Sequence, residues 1–382
     1  MYAHWGNTHI GFEWLGHFAQ NFISDTSRRK LVQYATRFRV LHCAMFATRR
    51  HEQHTPGGEI TSFLALLRFA RNLEFNEPRD YIYGLLGVRT VENHPDHNMF
   101  LVEADYGISA AECFQKVAET LLLKHGLIEV LSDVRHATGI STDGISWVPD
   151  WQYWPVTDRH LSSAWGWSIA QTNTRRPAGI SKTTLASQEC LNFHGFAFDT
   201  ISSVGRFASS DTGRCQDGVL GVHIRQVLFR ELEEEHGADI FACTLVAFNE
   251  LEKQSNLPED VAGVVEVYRD FMQWVPAADE EVIDETDRFS SAVRRFRARF
   301  HARIKSRSII KMRNGLIGLG PGVVEVGDVV VFIFGGIIPY ILRPVDGLWR
   351  LVGECYVYEL RDQCIMKEWE DSDRVAETFS IY

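Results

Sequence analysis

The stretch Cys190-Leu191-Asn192-Phe193-His194-Gly195-Phe196-Ala197 decides how this chain is read, because here the period of the apolar residues changes to two. Leu191, Phe193, Gly195 and Ala197 alternate with Asn192, His194 and Phe196, and Ile201 and Val204 follow, so the spacing predicts a strand over about 190–204. Toward the C-terminus the same character returns over 309–360. Three short strands are expected there, at 323–334, 338–343 and 349–358, joined by Gly, Pro and Asp turns. Between the two β regions lies a helical block, about 221–308. It comprises 222–236 with Gly237 as its stop, 240–253, 258–275 with a proline at the first helical position, and 290–307. Inserting such a block at a turn costs little, since loop-closure entropy grows slowly with length.

Working toward the N-terminus, residues 1–75 read as helical. The best piece is 61–73, where Phe63, Leu66, Leu67, Ala70 and Leu73 recur at helical spacing. A second helix opens on the capping box Ser109-Ala-Ala-Glu112. It buries Phe114, Val117, Ala118, Leu121 and Leu122, and ends at Lys124-His125-Gly126. The segment from Glu77 to Gly87 reads as a turn opening a short helix. Pro78 suits the first helical position, Asp80 caps, Gly87 stops, and Ile82, Leu85 and Leu86 form the buried face. The resulting fold class is α+β: an α-rich region 1–180, then 181–382 as a small antiparallel β unit (about 190–204 plus 309–360) carrying the helical insertion.

Composition narrows the function classes. The chain has 382 residues, 45% hydrophobic and 23% charged, which suits a folded protein of one large or two ordinary domains. A net charge of −11 argues against nucleic-acid binding through overall charge. The seven cysteines are odd in number and scattered without a C-x-x-C pair, so neither a zinc ribbon nor a disulfide framework is suggested. The start, from Met1 to Asn7, lacks the charged and apolar regions of a signal peptide. The longest apolar run, 329–342, is interrupted by Gly335, Gly336 and Pro339, and falls short of the about 20 residues of a membrane span. These features point to a soluble cytoplasmic chain.

Four ordered blocks resemble the fungal heterokaryon-incompatibility (HET) family. The first is Pro78-Arg79-Asp80 with Tyr83, Leu85, Leu86 and Gly87, and the second is Trp147-Val148-Pro149-Asp150-Trp151 behind Ser146. The third is Leu191 to Gly195 followed by Asp199 and Ile201. The fourth runs through Gly320, Pro321, Gly327, Asp328, Pro339, Leu342, Arg343, Gly353, Glu354 and Tyr356. Residues 1–75 lack the family's Leu-Ser-Tyr-x-Trp-Gly and Trp-Ile-Asp-x-x-Cys-Ile-Asn-Gln motifs, which mark a head related to the Toll/interleukin-receptor fold. The chain therefore resembles the downstream body of such a protein without that head. A short gene reading, degeneration or a naturally headless paralogue would each explain it.

The resemblance implies an interaction or regulatory part in allorecognition and programmed cell death, working through a protein partner, with no cofactor and no catalytic residue. Two other functions compete. An NAD-cleaving effector would need the head upstream, and a nucleic-acid or membrane-surface binder would work through the basic stretch 290–307. For that stretch the plainer reading is packing by the seam Val293, Phe296, Phe300 and Ile304, with neutralisation by the acids of 279–287.

Other motifs have plainer readings too. Gly315-x-x-Gly318-x-Gly320-Pro321-Gly322 is followed by β sequence rather than the helix a phosphate cradle needs, so it reads as the glycine-rich start of a strand. Asp211-Thr212-Gly213 occurs once, without the second carboxylate of an aspartic protease. His51/His54 and His94/His97 have no third ligand nearby and read as loop histidines, and Cys113 reads as a core thiol. The charged motif residues are expected to be structural, Arg79 pairing across an interface and Arg343 with Glu354 forming a pair.

Overall fold

The computed structural model describes residues 2–5, 8–11, 62–70, 75–136, 139–140, 144–152, 161, 183–187, 189–206, 230–248, 260–273, 290–304, 306–360, 369 and 375–382. The chain divides into two compact units. One is Met1–His125 with Pro149–Val156, and the other is Gly126–Val148 with Thr157–Tyr382.

The first unit opens on an antiparallel hairpin rather than on the expected helix. Strand β1 (Tyr2–Trp5) pairs with β2 (Thr8–Gly11), Trp5 facing Thr8. The sequence between them is Gly6-Asn7, residue types that serve two-residue hairpin loops. Helix α1 (Phe63–Ala70) follows the predicted spacing and buries Phe63, Leu66, Leu67 and Ala70. Its first amide is held from outside, Phe63 N–H donating to the buried Glu92 carboxylate at 2.7 Å. Helix α2 is one short turn, Asp80–Tyr83. Helix α3 (Ala110–Glu119) has the predicted capping box, Ser109 and Glu112 each bonding the other's backbone. A π turn, Thr120–Lys124, continues it, and Gly126 adopts a left-handed conformation (φ 71°) just beyond.

The second unit is organised by one long strand. Strand β4 (Cys190–Arg206) spans 17 residues, too long for one partner, and it serves several in turn. Its first part carries β3 (Thr184–Ser187) and, through Leu191 to Gly195, β10 (Glu377–Ile381). Gly195 to Thr200 pair with β7 (Val329–Ile333), and Ile201 to Arg206 pair with β5 (Arg307–Met312). Register breaks after Ala197 and after Ile201 bend the strand between these partners.

From β7 the ladder runs through β8 (Tyr340–Val345) and β9 (Leu348–Glu354) to β10, which returns to β4, so the sheet closes. A second closure runs through β5 and β6 (Ile317–Pro321). There Leu319 exchanges two backbone bonds with Tyr356, at 2.8 and 2.9 Å, just past β9. Every pairing is antiparallel except β9 with β10. Closing a sheet removes the exposed edges that open sheets must otherwise protect.

The α+β class holds, but the sheet is larger than the three C-terminal strands the sequence suggested. Three of the five residues of strand β6 are glycine or proline, which masks its strand character. Strand β10 is a short alternation beyond residue 360. The expected strand 323–334 narrows to β7, because Gly327 turns the chain at φ 98°. Phe196, placed by alternation on the polar face, is instead buried on Phe332 at 5.3 Å.

Between β4 and β5 residues 230–236 are helical, followed by α4 (Ala238–Leu245), α5 (Val261–Gln273) and α6 (Ser291–Ile304). Rings join them: Phe241 meets Tyr268 at 6.0 Å, and Phe271 meets Phe296 at 5.4 Å. Helix α4 ends earlier than the predicted 240–253, because Ala247 turns left-handed at φ 45°. The turn is clamped at its carbonyls, Arg299 donating to Val246 and Ala247, and Tyr356 Oη donating to Phe248 at 2.6 Å. A left-handed alanine carries a steric cost that glycine avoids. Ala247→Gly is therefore expected to raise stability by about 1 kcal/mol, read as a higher urea midpoint.

Candidate functional site

The residues of the first block form a local brace in the first unit. Pro78 sits in the turn before α2, its carbonyl accepting from Tyr81 N–H at 3.2 Å, and Arg79 rather than Pro78 precedes the helix. The Arg79 guanidinium forks onto the Glu77 carboxylate, with Nε at 2.7 Å and Nη2 at 3.0 Å. Its Nη1 donates to the carbonyls of Tyr106 and Ile108, at 2.5 and 2.6 Å, and its cation lies over the Tyr106 ring. The expected pairing across an interface is thus a bond to the neighbouring loop of the same unit.

Asp80 does not cap α2. Its carboxylate accepts the Tyr106 hydroxyl at 2.6 Å, while Tyr83 donates to the Asp105 carbonyl at 2.9 Å. Gly87 does not adopt the left-handed stop conformation, since the helix has already ended at Tyr83. Leu85 and Leu86 are buried as expected. The brace delivers the chain at 105–108 into the Ser109 cap of α3.

Electrostatics fit a brace. Arg79 holds the Glu77 carboxyl below its ordinary range. Burial pushes the Tyr83 phenol up to about 12 and raises the Cys113 thiol, which touches it. Cys113 is accordingly a protonated, buried core thiol. Lysine lacks the planar fork that makes these contacts. Arg79→Lys is expected to loosen residues 105–108 and speed limited proteolysis there, while far-UV circular dichroism stays unchanged.

The second block is divided between the two units. Ser146 Oγ accepts the Leu351 amide at 2.9 Å, and Trp147, fully buried, donates Nε1–H to the Glu189 carbonyl at 3.0 Å. Pro149, Asp150 and Trp151 belong to the first unit. Asp150 accepts the Gln152 amide at 3.0 Å, and Trp151 meets Phe114 edge-on at 5.5 Å.

The third and fourth blocks build the closed sheet. Gly195 lies so close to β7 that a Cβ would sit 2.0 Å from the Phe332 carbonyl oxygen. Gly320 leaves room for Ile341, and Gly353, at φ 143°, lies against Pro321. The Pro339 carbonyl accepts the Cys355 amide at 3.1 Å, and Leu342 is fully buried.

The expected Arg343–Glu354 pair does not form. Arg343 grips the buried Asp328 with Nε at 2.7 Å and Nη2 at 2.9 Å, and Glu325 at 2.9 Å. Glu354, 1% exposed, takes Arg135 at 2.9 Å, Arg307 at 3.3 Å and the Leu161 amide at 2.7 Å. Arg135 and Arg307 were not singled out from sequence, and no local signal marks them, since Arg135 stands beside Asp133 and His136 and Arg307 in a basic run with Arg303 and Lys305. Beside them Tyr340 Oη lies 3.1 Å from Ser132 Oγ.

The seam of α6 is buried as expected, and Arg299 and Arg303 turn inward with it, while Arg294 and Arg295 stay exposed. The acids of 279–287 lie outside the described residues, as do Asp211-Thr212-Gly213 and His51/His54. The Gly315–Gly322 run is the β5–β6 turn and β6 itself. His94 precedes the 3-10 turn Pro95–His97 and His97 ends it. Among the described residues no group of three or more His, Cys, Asp or Glu could hold a metal ion, and no helix is long and apolar enough to cross a membrane.

Residues 247–374, which take in β5 to β9, match the family model described as the Het-6 beta-barrel domain. The chain is also similar to "Heterokaryon incompatibility protein 6, OR allele" of Neurospora crassa, 25% identical over 342 residues, covering 74% of this chain and 48% of that protein. It thus spans about half the length of the curated relative it matches. No solved structure matches it.

Proposed function

As a protein of the heterokaryon-incompatibility family, we propose, this chain is a non-catalytic interaction or regulatory part in fungal allorecognition and the programmed cell death that follows it. One observation carries the reading: the charged motif residues are engaged with the fold's own groups. Arg79 holds Glu77 and two carbonyls, Arg343 holds Asp328, and Glu354 holds two arginines and an amide. A general acid or base needs a proton-transfer position open to a substrate, and these groups are already occupied.

The experiment compares fusions of fungal strains that carry or lack the gene, scoring heterokaryon survival, alongside NAD hydrolysis by the purified chain. Altered survival without NAD turnover supports the proposal. NAD turnover abolished by a single substitution would replace it with the NAD-cleaving reading.

A further inference from the structure

Loops run over the surface and turn polar side chains to water, yet the loop at 90–100 of the first unit is built the other way round. Thr90, Glu92 and Asn93 are buried, while Val91, Met99 and Phe100 are 52%, 57% and 43% exposed. The buried polar groups hold the loop's shape. Asn93 Nδ2 donates to the carbonyls of Leu86 and Val88, at 2.8 and 2.7 Å, and its Oδ1 accepts the Leu101 amide at 2.9 Å. Thr90 Oγ1 donates at 3.2 Å to the Glu92 carboxylate, the group that also takes the first amide of α1. His94 and Met99 exchange two backbone bonds, at 2.7 and 3.1 Å, around the turn Pro95–His97.

The exposed side chains thus stand on a backbone already fixed, so covering them costs little further ordering. Single exposed apolar residues need no explanation. Three on one braced loop, with Tyr106 58% exposed just beyond, form a surface of the kind that marks a contact site. Methionine and aromatic side chains are also the types enriched at interfaces.

The charge of the same stretch selects the partner. From Val91 to Gln115 there are five acids and no lysine or arginine. Glu103 and Asp105 are exposed, between the apolar tip and Tyr106. Arg79, the cation over the Tyr106 ring, is held by Glu77 and two carbonyls. A second copy of the loop would bring the same acids against themselves, and an anionic membrane surface would be repelled in the same way.

We propose that the stretch 90–107 is a docking surface for a cationic, amphipathic segment of a partner protein. The segment's apolar side chains cover Val91, Met99 and Phe100, and its Lys or Arg side chains meet Glu103 and Asp105. The assignment rests on reading the chain as an interaction part, and none of these five residues belongs to the four family blocks.

The test uses the purified full chain and two labelled fourteen-residue helical peptides. One is built of leucine and lysine with leucine at helical spacing, and the other has glutamate in place of lysine. Fluorescence anisotropy is followed from 50 to 500 mM salt. The leucine–lysine peptide should bind one per chain, more weakly as salt rises, and the glutamate peptide should not bind. Met99→Ser combined with Phe100→Ser, and separately Glu103→Lys, should each weaken binding about tenfold or more. Leu348→Ser, which removes an exposed apolar side chain of the second unit, should leave it unchanged. Equal binding of both peptides, or binding indifferent to the loop substitutions, would overturn the proposal. So would loop-dependent binding to phosphatidylcholine–phosphatidylserine vesicles, or loop-dependent self-association in light scattering, with the peptide unbound. If a loop variant fails to fold, hydrogen exchange on the wild type decides. The peptide should protect amides 97–107, and protection confined to other segments counts against the site. Heterokaryon survival is scored separately, so the role proposed above can fail while the docking surface stands, and the reverse.

Discussion

Replacing Glu354 by alanine is expected to cost about 3–5 kcal/mol of folding stability, the largest loss expected of any charged residue among the described residues. The carboxylate is 1% exposed and lies between Arg135 and Arg307, the latter 5% exposed itself. Removing it leaves two guanidinium groups drawn into the fold without their counter-charge, and the Leu161 amide without its acceptor. The cost comes mainly from these stranded partners, since an intact buried pair contributes little beyond its own desolvation. Glu354→Gln keeps an acceptor oxygen but not the charge, so it should fall between alanine and the wild type. Urea unfolding followed by circular dichroism reads both. A loss below about 1 kcal/mol for alanine, the range of an exposed ion pair, would mean the arginines find other partners without strain.

Gly195→Ala is expected to be comparably severe for a steric reason. The added methyl would lie 2.0 Å from the Phe332 carbonyl oxygen, 2.9 Å from its carbon and 3.0 Å from Ile333 Cα. All three are backbone atoms of β7, so no side chain can rotate away. Strands β4 and β7 would have to separate where the long strand passes from one partner to the next. Overpacking a tight site costs about 1–3 kcal/mol when side chains can move. With only backbone to yield, at least about 3 kcal/mol or loss of soluble protein is expected. Gly87→Ala makes the contrast: nothing lies within 4 Å of its Cβ position, and a change within about 0.5 kcal/mol is expected. Thermal unfolding of the two variants side by side checks this.

Elements whose signal is local were legible in the sequence. The alternation from Leu191 announced β4, Ser109 and Glu112 announced the cap of α3, and the seam Val293, Phe296, Phe300 and Ile304 announced the buried face of α6. Partners were not legible, because pairing of distant charges leaves no local trace. Asp80 looks like a helix cap from its position, yet its partner Tyr106 is 26 residues away. Glu354 meets Arg307 across 47 residues and Arg135 across 219. Phe196 was misplaced because alternation assumes one wet face, and here the successive residues Gly195 and Phe196 are both buried, just before the register break after Ala197. The resemblance to a family named positions along the chain, but not what each of them touches.

Those positions are read here as parts that close a barrel and brace a helix, and a parallel substitution series tests this most directly. Unfolding free energy would be measured for Gly195→Ala, Gly353→Ala, Glu354→Ala, Gly87→Ala and Asp150→Ala, with heterokaryon survival scored for each in the fungus. The account predicts that survival effects track lost stability. Gly195, Gly353 and Glu354 should be severe, while the exposed Asp150 and the open Gly87 should be mild. A substitution that leaves stability intact yet abolishes the biological response, at any of these positions, would contradict it.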